Sequence, residues 1–77
     1  NPFNPSTTIK YDLPKDSRVS LKVFNILGQE VATLVNEEQK VGYRSVEWKA
    51  MNAASGVYFY RIQAGDFVAS KKLLFLK

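Results

Sequence analysis

The chain has 77 residues, the size of one small domain, and contains neither cysteine nor histidine. No disulfide can stabilise it, so the fold depends on its core, for which a 45% hydrophobic content is sufficient. The net charge of +4 comes from basic residues scattered from Lys10 to Lys77 among apolar ones, a pattern that argues against a nucleic-acid-binding patch.

The first six residues contain Pro2 and Pro5, which disfavour regular helix. We interpret residues 1–6 as the end of a linker and a lead-in, and residues 7–77 as a single β-sandwich domain. Because the chain begins with Asn1 rather than methionine, we expect it to be a piece of a longer protein.

Two segments with alternating apolar and polar residues predict the first two strands, at 7–13 and 18–26. A turn that contains Pro14 separates them. Phe24 falls on the outward face of the second strand, so we expect that face to be partly covered. The predicted inward residues of the two strands are Ile9, Tyr11, Leu13, Val19, Leu21 and Val23.

The middle of the chain predicts two more strands. Gly28 lies in a tight reversal, and residues 30–35 follow it as the third strand. Residues 36–42 are polar and are predicted to be a loop, and residues 43–49 form the fourth strand. Residues 50–55 are long enough only for a short helical turn.

The segment 55–62 is the most β-like part of the chain, because it combines aromatic and β-branched residues. We expect Tyr58, Tyr60 and Ile62 to face inward, because the opposite face carries Arg61. Gly56 permits a sharp backbone bend before them. In immunoglobulin-type domains a tyrosine at such a position bonds back to the upstream backbone as a tyrosine corner, and Tyr58 is the candidate here.

A turn at 64–66 and a last strand at 67–76 complete a predicted hairpin. No segment shows sustained helical periodicity. Short strands separated by turn signals therefore predict an all-β fold, an immunoglobulin-like antiparallel β-sandwich of about six to seven strands.

The residue inventory excludes most catalytic chemistry. The usual general base, histidine, and the most reactive nucleophile, cysteine, are missing. Ser70 and Lys72 share one strand face, but solvated strand residues explain this pair better than a catalytic dyad. The carboxylates do not have calcium-loop spacing, and zinc ligands are lacking. We therefore predict no enzyme activity, no catalytic residue, no metal site and no cofactor.

A carbohydrate-binding or accessory immunoglobulin-like module of a secreted hydrolase is the alternative function. Such modules use exposed aromatic rings as platforms for sugars, and the candidates here are Phe24, Tyr43, Phe59 and Phe67. Aromatic residues are also needed to fill so small a core, and this second explanation has the greater weight.

Several motifs, taken in order, resemble one family along the whole chain. They are Asn-Pro-Phe-Asn-Pro-Ser-Thr-Thr-Ile at 1–9, Tyr-Asp-Leu-Pro at 11–14, Val-Phe-Asn-Ile-Leu-Gly at 23–28, Val-Glu-Trp at 46–48, Ser-Gly-Val-Tyr-Phe-Tyr-Arg at 55–61 and Lys-Lys-Leu at 71–73. The chain resembles the type A C-terminal sorting domain of proteins exported by the type IX secretion system of Bacteroidota. The single pieces are weak signals, and their ordered combination is specific.

The resemblance implies a C-terminal sorting signal that directs a larger, N-terminal cargo through the periplasm to the cell surface or the medium. The implied partners are the outer-membrane type IX translocon, its shuttle protein and a sortase-like peptidase that usually removes the domain and replaces it with a surface anchor. Gly56 and Tyr58 are implied to be motif residues with a mainly structural role. The candidate partner-recognition residues are Lys71, Lys72, Leu73, Leu74, Phe75, Leu76 and Lys77.

The last strand also has a physical feature suited to recognition, since both of its faces are apolar near the end, through Leu73 and Phe75 on one face and Leu74 and Leu76 on the other. Such a strand is buried on both sides or presents one side to a partner. An edge strand can also recruit another strand, including that of a second copy, so self-association through this edge is possible.

Overall fold

A computed structural model describes residues 6–49 and 54–75, and these residues form six strands and no helix. The strands are β1 (Ser6–Leu13), β2 (Ser17–Phe24), β3 (Glu30–Gln39), β4 (Gly42–Lys49), β5 (Gly56–Ala64) and β6 (Phe67–Phe75). In this part of the chain, no helix suitable for crossing a membrane is found. The predicted all-β class is confirmed.

The strands form two antiparallel sheets. One has two strands in the order β1-β4, and the other has four strands in the order β3-β2-β5-β6. Alternation of side chains across each strand directs one apolar face of each sheet toward the other, which is the arrangement of a β-sandwich.

The core lies between the sheets and consists of two neighbouring clusters of buried residues. The larger cluster joins Ile9 and Leu13 of the two-stranded sheet to Val19, Leu21, Val35, Ile62 and Ala64 of the four-stranded sheet. The second cluster contains Val23, Trp48, Tyr58 and Phe75. The inward residues predicted for β1, β2 and β5 are confirmed as buried or half-buried.

The chief error of the sequence-based prediction concerns β3. Residues 36–39 were expected to belong to a loop, but β3 continues through them to Gln39. Their backbone pairs with β2, from Ser20↔Asn36 to Ser17↔Gln39. The side chains of residues 36–38 remain exposed to solvent, so this part of β3 needs no apolar residues. As an edge strand, β3 is stabilised here by the hydrogen bonds between its backbone and that of β2.

Smaller differences concern element ends. Ser6, assigned to the lead-in, already pairs with Lys49 as the first residue of β1. The second strand ends at Phe24 and not at residue 26. The proposed helical turn at 50–55 lies mostly outside the described residues, as do residues 1–5 and the end of the last predicted strand at Leu76.

The β5–β6 hairpin explains how the last strand reaches the edge of its sheet. Gly65 has φ +60°, and no non-glycine residue among the described ones has positive φ, so the two-residue turn at 65–66 has the signature of type II′. This turn matches the twist of the flanking strands. It fixes the register from Ala64↔Phe67 to Gly56↔Phe75.

Candidate functional site: the free edge of β6

Strand β6 is the outermost strand of the four-stranded sheet and is hydrogen-bonded only to β5 among the described strands. One side of its backbone therefore presents N–H and C=O groups that are not part of a ladder, and we call this side the free edge of β6. The other edge of this sheet is β3, whose ladder with β2 is interrupted by two register shifts. Bulges of this kind disrupt an edge, whereas β5–β6 runs in unbroken register.

The predicted recognition residues are distributed over both faces of β6. Lys71 and Lys72 are exposed, and Leu73 is half-buried against the core. Leu74 is 63% exposed, whereas Phe75 is only 2% exposed. Leu76 and Lys77 lie outside the described residues. The side chain of Leu74 therefore does not cover the core. Among these five side chains, only that of Phe75 is fully buried in the core.

Phe75 is held by two aromatic neighbours. Its ring centroid lies 5.4 Å from that of Trp48 and 6.2 Å from that of Tyr58. The rings of Trp48 and Tyr58 contact each other edge to face at 5.1 Å. This aromatic cluster anchors the last described residue of β6 in the core. It thereby fixes the position of its exposed neighbour Leu74.

The expected tyrosine corner is present. The hydroxyl of Tyr58 donates a 2.7 Å hydrogen bond to the backbone carbonyl of Ala54, four residues upstream. Gly56, between them, has φ +152°, and an added Cβ there would meet no atom within 4 Å. Backbone conformation, and not lack of space, is therefore the reason for glycine. Gly56 and Tyr58 both lie at the start of β5, the only described strand that pairs with β6.

The exposed Leu74 belongs to a row of apolar side chains that sequence reasoning did not assemble. On the outer face of the four-stranded sheet, Phe24 pairs with Phe59, and Val57 pairs with Leu74. We call these four residues the outer stripe. Phe24 and Val57 are half-buried, and Phe59 is 39% exposed. The outward position of Phe24 was a usable signal, but the pairing across strands was not readable from the sequence.

The inner side of β6 borders an open cleft between the two sheets. A two-stranded sheet is too narrow to cover four strands, and a cleft of about 610 Å³ remains between β1 and the β5–β6 hairpin. Its floor includes Tyr60, Ile62 and Ala69, and Lys71 stands at its border. Sequence reasoning missed this cleft, because strand order is a non-local property.

A second exposed apolar feature is the turn after β2. Ile26 and Leu27 are 70% and 78% exposed, although the turn itself is well ordered by Asn25. The side-chain oxygen of Asn25 accepts hydrogen bonds from the backbone N–H groups of Leu27 and Gln29, at 2.9 and 3.0 Å. The family-like motif at 23–28 was the available signal for this turn, which was predicted only as a reversal.

Charge is unevenly distributed around β6. The ion pairs of the described residues are Lys22–Glu30, Lys40–Asp16 and Lys49–Glu47, all at 3.5–3.8 Å. None of them involves Lys71 or Lys72 within residues 6–49 and 54–75. Lys71 and Lys72 are adjacent in β6 and place one ammonium group on each face of the strand, so the free edge of β6 is locally cationic.

The groups with shifted pKa values lie elsewhere and have structural explanations. The backbone N–H of Val41 donates to Asp16 at 2.8 Å and lowers the pKa of that carboxyl, with help from Lys40. The hydroxyl of Thr33 likewise lowers the pKa of Glu30. Burial raises the pKa of Tyr11, whose hydroxyl donates to Gln39. These contacts stabilise turns and the packing between the sheets.

The aromatic residues considered for sugar binding do not form one platform. Phe24 and Phe59 are neighbours on the outer face of the four-stranded sheet. Tyr43, 90% exposed, belongs to the two-stranded sheet, and Phe67 lies at the β5–β6 turn. In the described part of the chain, no group of acidic residues is arranged to hold a metal ion. The alternative function gains no support from this arrangement.

Together, the two antiparallel sheets, the hydrogen bond from Tyr58 to Ala54 and the free edge of β6 define a small all-β sandwich module whose distinctive surface is a strand edge. The family model described as "Secretion system C-terminal sorting domain" matches residues 1–76, and the chain belongs to this family. No curated protein and no solved structure matches the chain.

Membership settles the main function. A domain of this family is the C-terminal sorting signal for type IX secretion, carried by a cargo protein and acted on by the secretion machinery. The cargo is secreted or placed on the cell surface. The family is one of sorting signals and not of catalysts.

Proposed function

We propose that this domain directs its cargo by presenting the free edge of β6, with Lys71, Lys72 and Leu74, to the export machinery. The observation that carries the proposal is the contrast between neighbours in β6: Phe75 is 2% exposed and anchored by aromatic rings, while Leu74 is 63% exposed. An anchored strand that keeps a large apolar side chain in solvent is suited to recognition. Recognition then requires the folded domain and not only the tail sequence.

The proposed partners are those of the sorting route: the outer-membrane translocon, its shuttle protein and a sortase-like peptidase. The cargo passes through the periplasm with the domain folded, and the domain itself has no enzyme activity. After translocation the peptidase cleaves near or before Asn1 and replaces the domain with a surface anchor. Leu73, Leu76 and Lys77 complete the proposed recognition segment, and Gly56 and Tyr58 act through the fold.

A reporter fusion tests this proposal. Residues 1–77 are fused behind a periplasmic reporter and expressed in a type IX-competent host, with the reporter alone as the control. We expect the fusion on the cell surface or in the medium and the control in the periplasm. Cleavage is read from the same samples as the loss of about 8.7 kDa from the exported reporter.

The outcomes separate export from cleavage. A fusion whose domain is folded and protease-resistant but remains in the periplasm contradicts the sorting function of this segment. Export at full length contradicts only the cleavage step. Export that survives Leu74→Asp, which changes an exposed side chain and leaves Phe75 in the core, contradicts the assignment of recognition to the end of β6.

A further inference from the structure

The free edge of β6 is regular over its whole length, and this regularity is unusual for an exposed strand. The β5–β6 ladder pairs nine residues of each strand without a register shift, from Gly56↔Phe75 to Ala64↔Phe67. Proteins usually blunt such edges with bulges, prolines or charges, and β3 on the opposite side of the sheet does carry bulges. Strand β6 has neither a bulge nor a proline, and the feature that can oppose pairing with another strand is the charge of Lys71 and Lys72.

The position of the two lysines determines which strands can pair with this edge. Lys71 is the central residue of β6, so antiparallel pairing of two copies over their full length would place Lys71 opposite its own copy. A shift by two residues toward the end of the strand, which keeps equivalent faces opposite each other, would place Lys72 opposite its own copy. Like charges directly opposite each other destabilise a strand pair. The edge is therefore protected against a second copy, while its backbone groups stay available to a strand of opposite charge.

The two faces of β6 define the rest of the partner. Lys71 is on the inner face, at the border of the cleft that Tyr60 and Ala69 line. Lys72 is on the outer face, where Leu74 is exposed. A strand paired with β6 would thus meet one cation on each of its faces, with apolar surface on both sides of them. Adjacent residues of a strand point to opposite faces, so two adjacent carboxylates would satisfy both lysines.

We propose that the free edge of β6 accepts an extended acidic segment of a partner protein by strand addition, with two adjacent carboxylates facing Lys71 and Lys72. Backbone hydrogen bonds supply affinity, and the lysine pair supplies selectivity against lysine-rich strands and against a second copy. This inference rests on the proposed function, because it specifies the chemistry of the segment that the machinery would present. It adds a strand to the sheet and leaves the core unchanged.

Binding of synthetic peptides to the ¹⁵N-labelled 77-residue chain tests this inference. The probe is a capped nine-residue peptide in which threonine and valine alternate on either side of two adjacent glutamates. The matched peptide has two lysines in their place. We expect the glutamate peptide to shift the backbone amide signals of residues 67–75 and to bind at least about tenfold more tightly, because two ion pairs replace two repulsive contacts.

Charge-reversed variants make the test specific. In the double variant Lys71→Glu and Lys72→Glu, we expect the preference to invert in favour of the lysine peptide. Lys49→Glu is the matched control, because this exposed lysine lies on β4, in the other sheet and outside the cleft beside Lys71, and its replacement should leave the tenfold preference intact. Thermal melts confirm that all variants are folded.

Four results would overturn the inference: no binding of either peptide at millimolar concentration, equal affinity for both, shifts confined to β1, or a wild-type chain that dimerises through β6. Each of these is independent of the reporter assay. If the peptides fail while the fusion is exported, strand addition is wrong and the sorting function stands. If the peptides bind but the fusion stays in the periplasm, the sorting function of this segment is wrong.

Discussion

Replacing Tyr58 tests how the fold supports the free edge of β6. The side chain is 7% exposed, its ring contacts Trp48 and Phe75, and its hydroxyl bonds to the Ala54 carbonyl. Tyr58→Phe removes only the hydrogen bond, at a cost of about 0.5–1.5 kcal/mol. Tyr58→Ala also removes the ring from the core, which costs roughly 3–5 kcal/mol. A core of this size supplies only about 3–5 kcal/mol in total.

These magnitudes predict an ordered series of stabilities. We expect Tyr58→Phe to lower the urea midpoint by roughly 0.5–1.5 M, for a slope near 1 kcal/mol per molar urea. Tyr58→Ala should leave the chain largely unfolded before urea is added. The fluorescence of Trp48 is the natural signal, because its ring lies 5.1 Å from that of Tyr58.

Tyr43→Ala is the matched control, because Tyr43 is 90% exposed and its loss should change stability by less than about 0.5 kcal/mol. If Tyr58→Ala unfolds at the same urea concentration as Tyr43→Ala, the aromatic cluster does not hold the sheets together. If Tyr58→Phe is as damaging as Tyr58→Ala, the bond to Ala54, and not ring burial, dominates. Either result would refute the reasoning about the core.

Three further predictions concern turns, charge and self-association. Asn25→Ala removes the acceptor that orders the turn after β2 and should cost about 1–2 kcal/mol in urea unfolding; no change would mean that the turn needs no side-chain cap. The pKa of the Asp16 carboxyl is lower in the folded state, so ionised Asp16 stabilises the fold above the unfolded carboxyl pKa, and this stabilisation is lost as pH falls through the folded pKa. The difference in melting temperature between wild type and Asp16→Ala should therefore become smaller below about pH 4. A difference that does not change with pH would contradict a stabilising role for ionised Asp16. The double variant Lys71→Thr and Lys72→Thr should dimerise in sedimentation experiments at concentrations where the wild type is monomeric. If the variant stays monomeric, the two lysines do not prevent pairing of two copies through β6.

The sequence predicted the strands whose side chains alternate. In β1 and β2 a polar outward face accompanies each buried residue, so the inward positions of Ile9, Leu13 and Leu21 were readable directly. The tyrosine corner at Tyr58 was readable because its motif is local. The chain order of the strands also followed from turn signals.

Features that depend on pairing between distant segments could not be read in the same way. The polar end of β3 around Glu37 has no alternation, because an edge strand gains stability from its backbone ladder. The outer stripe needs the β2–β5–β6 order, which places Phe24 and Leu74 on one surface. The cleft beside Lys71 needs the unequal widths of the two sheets. None of these is encoded in a local pattern.

The most direct test of the account separates the exposed surface of β6 from the fold. Leu74→Asp changes an outward side chain that the core does not use, and Tyr43→Asp makes an equivalent change on the two-stranded sheet. Both variants are placed in the reporter fusion, and surface display is measured relative to the amount of folded, protease-resistant domain. We predict that Leu74→Asp loses most of its export while Tyr43→Asp matches the wild type. Equal export of the two variants would contradict the claim that β6 is the recognised surface.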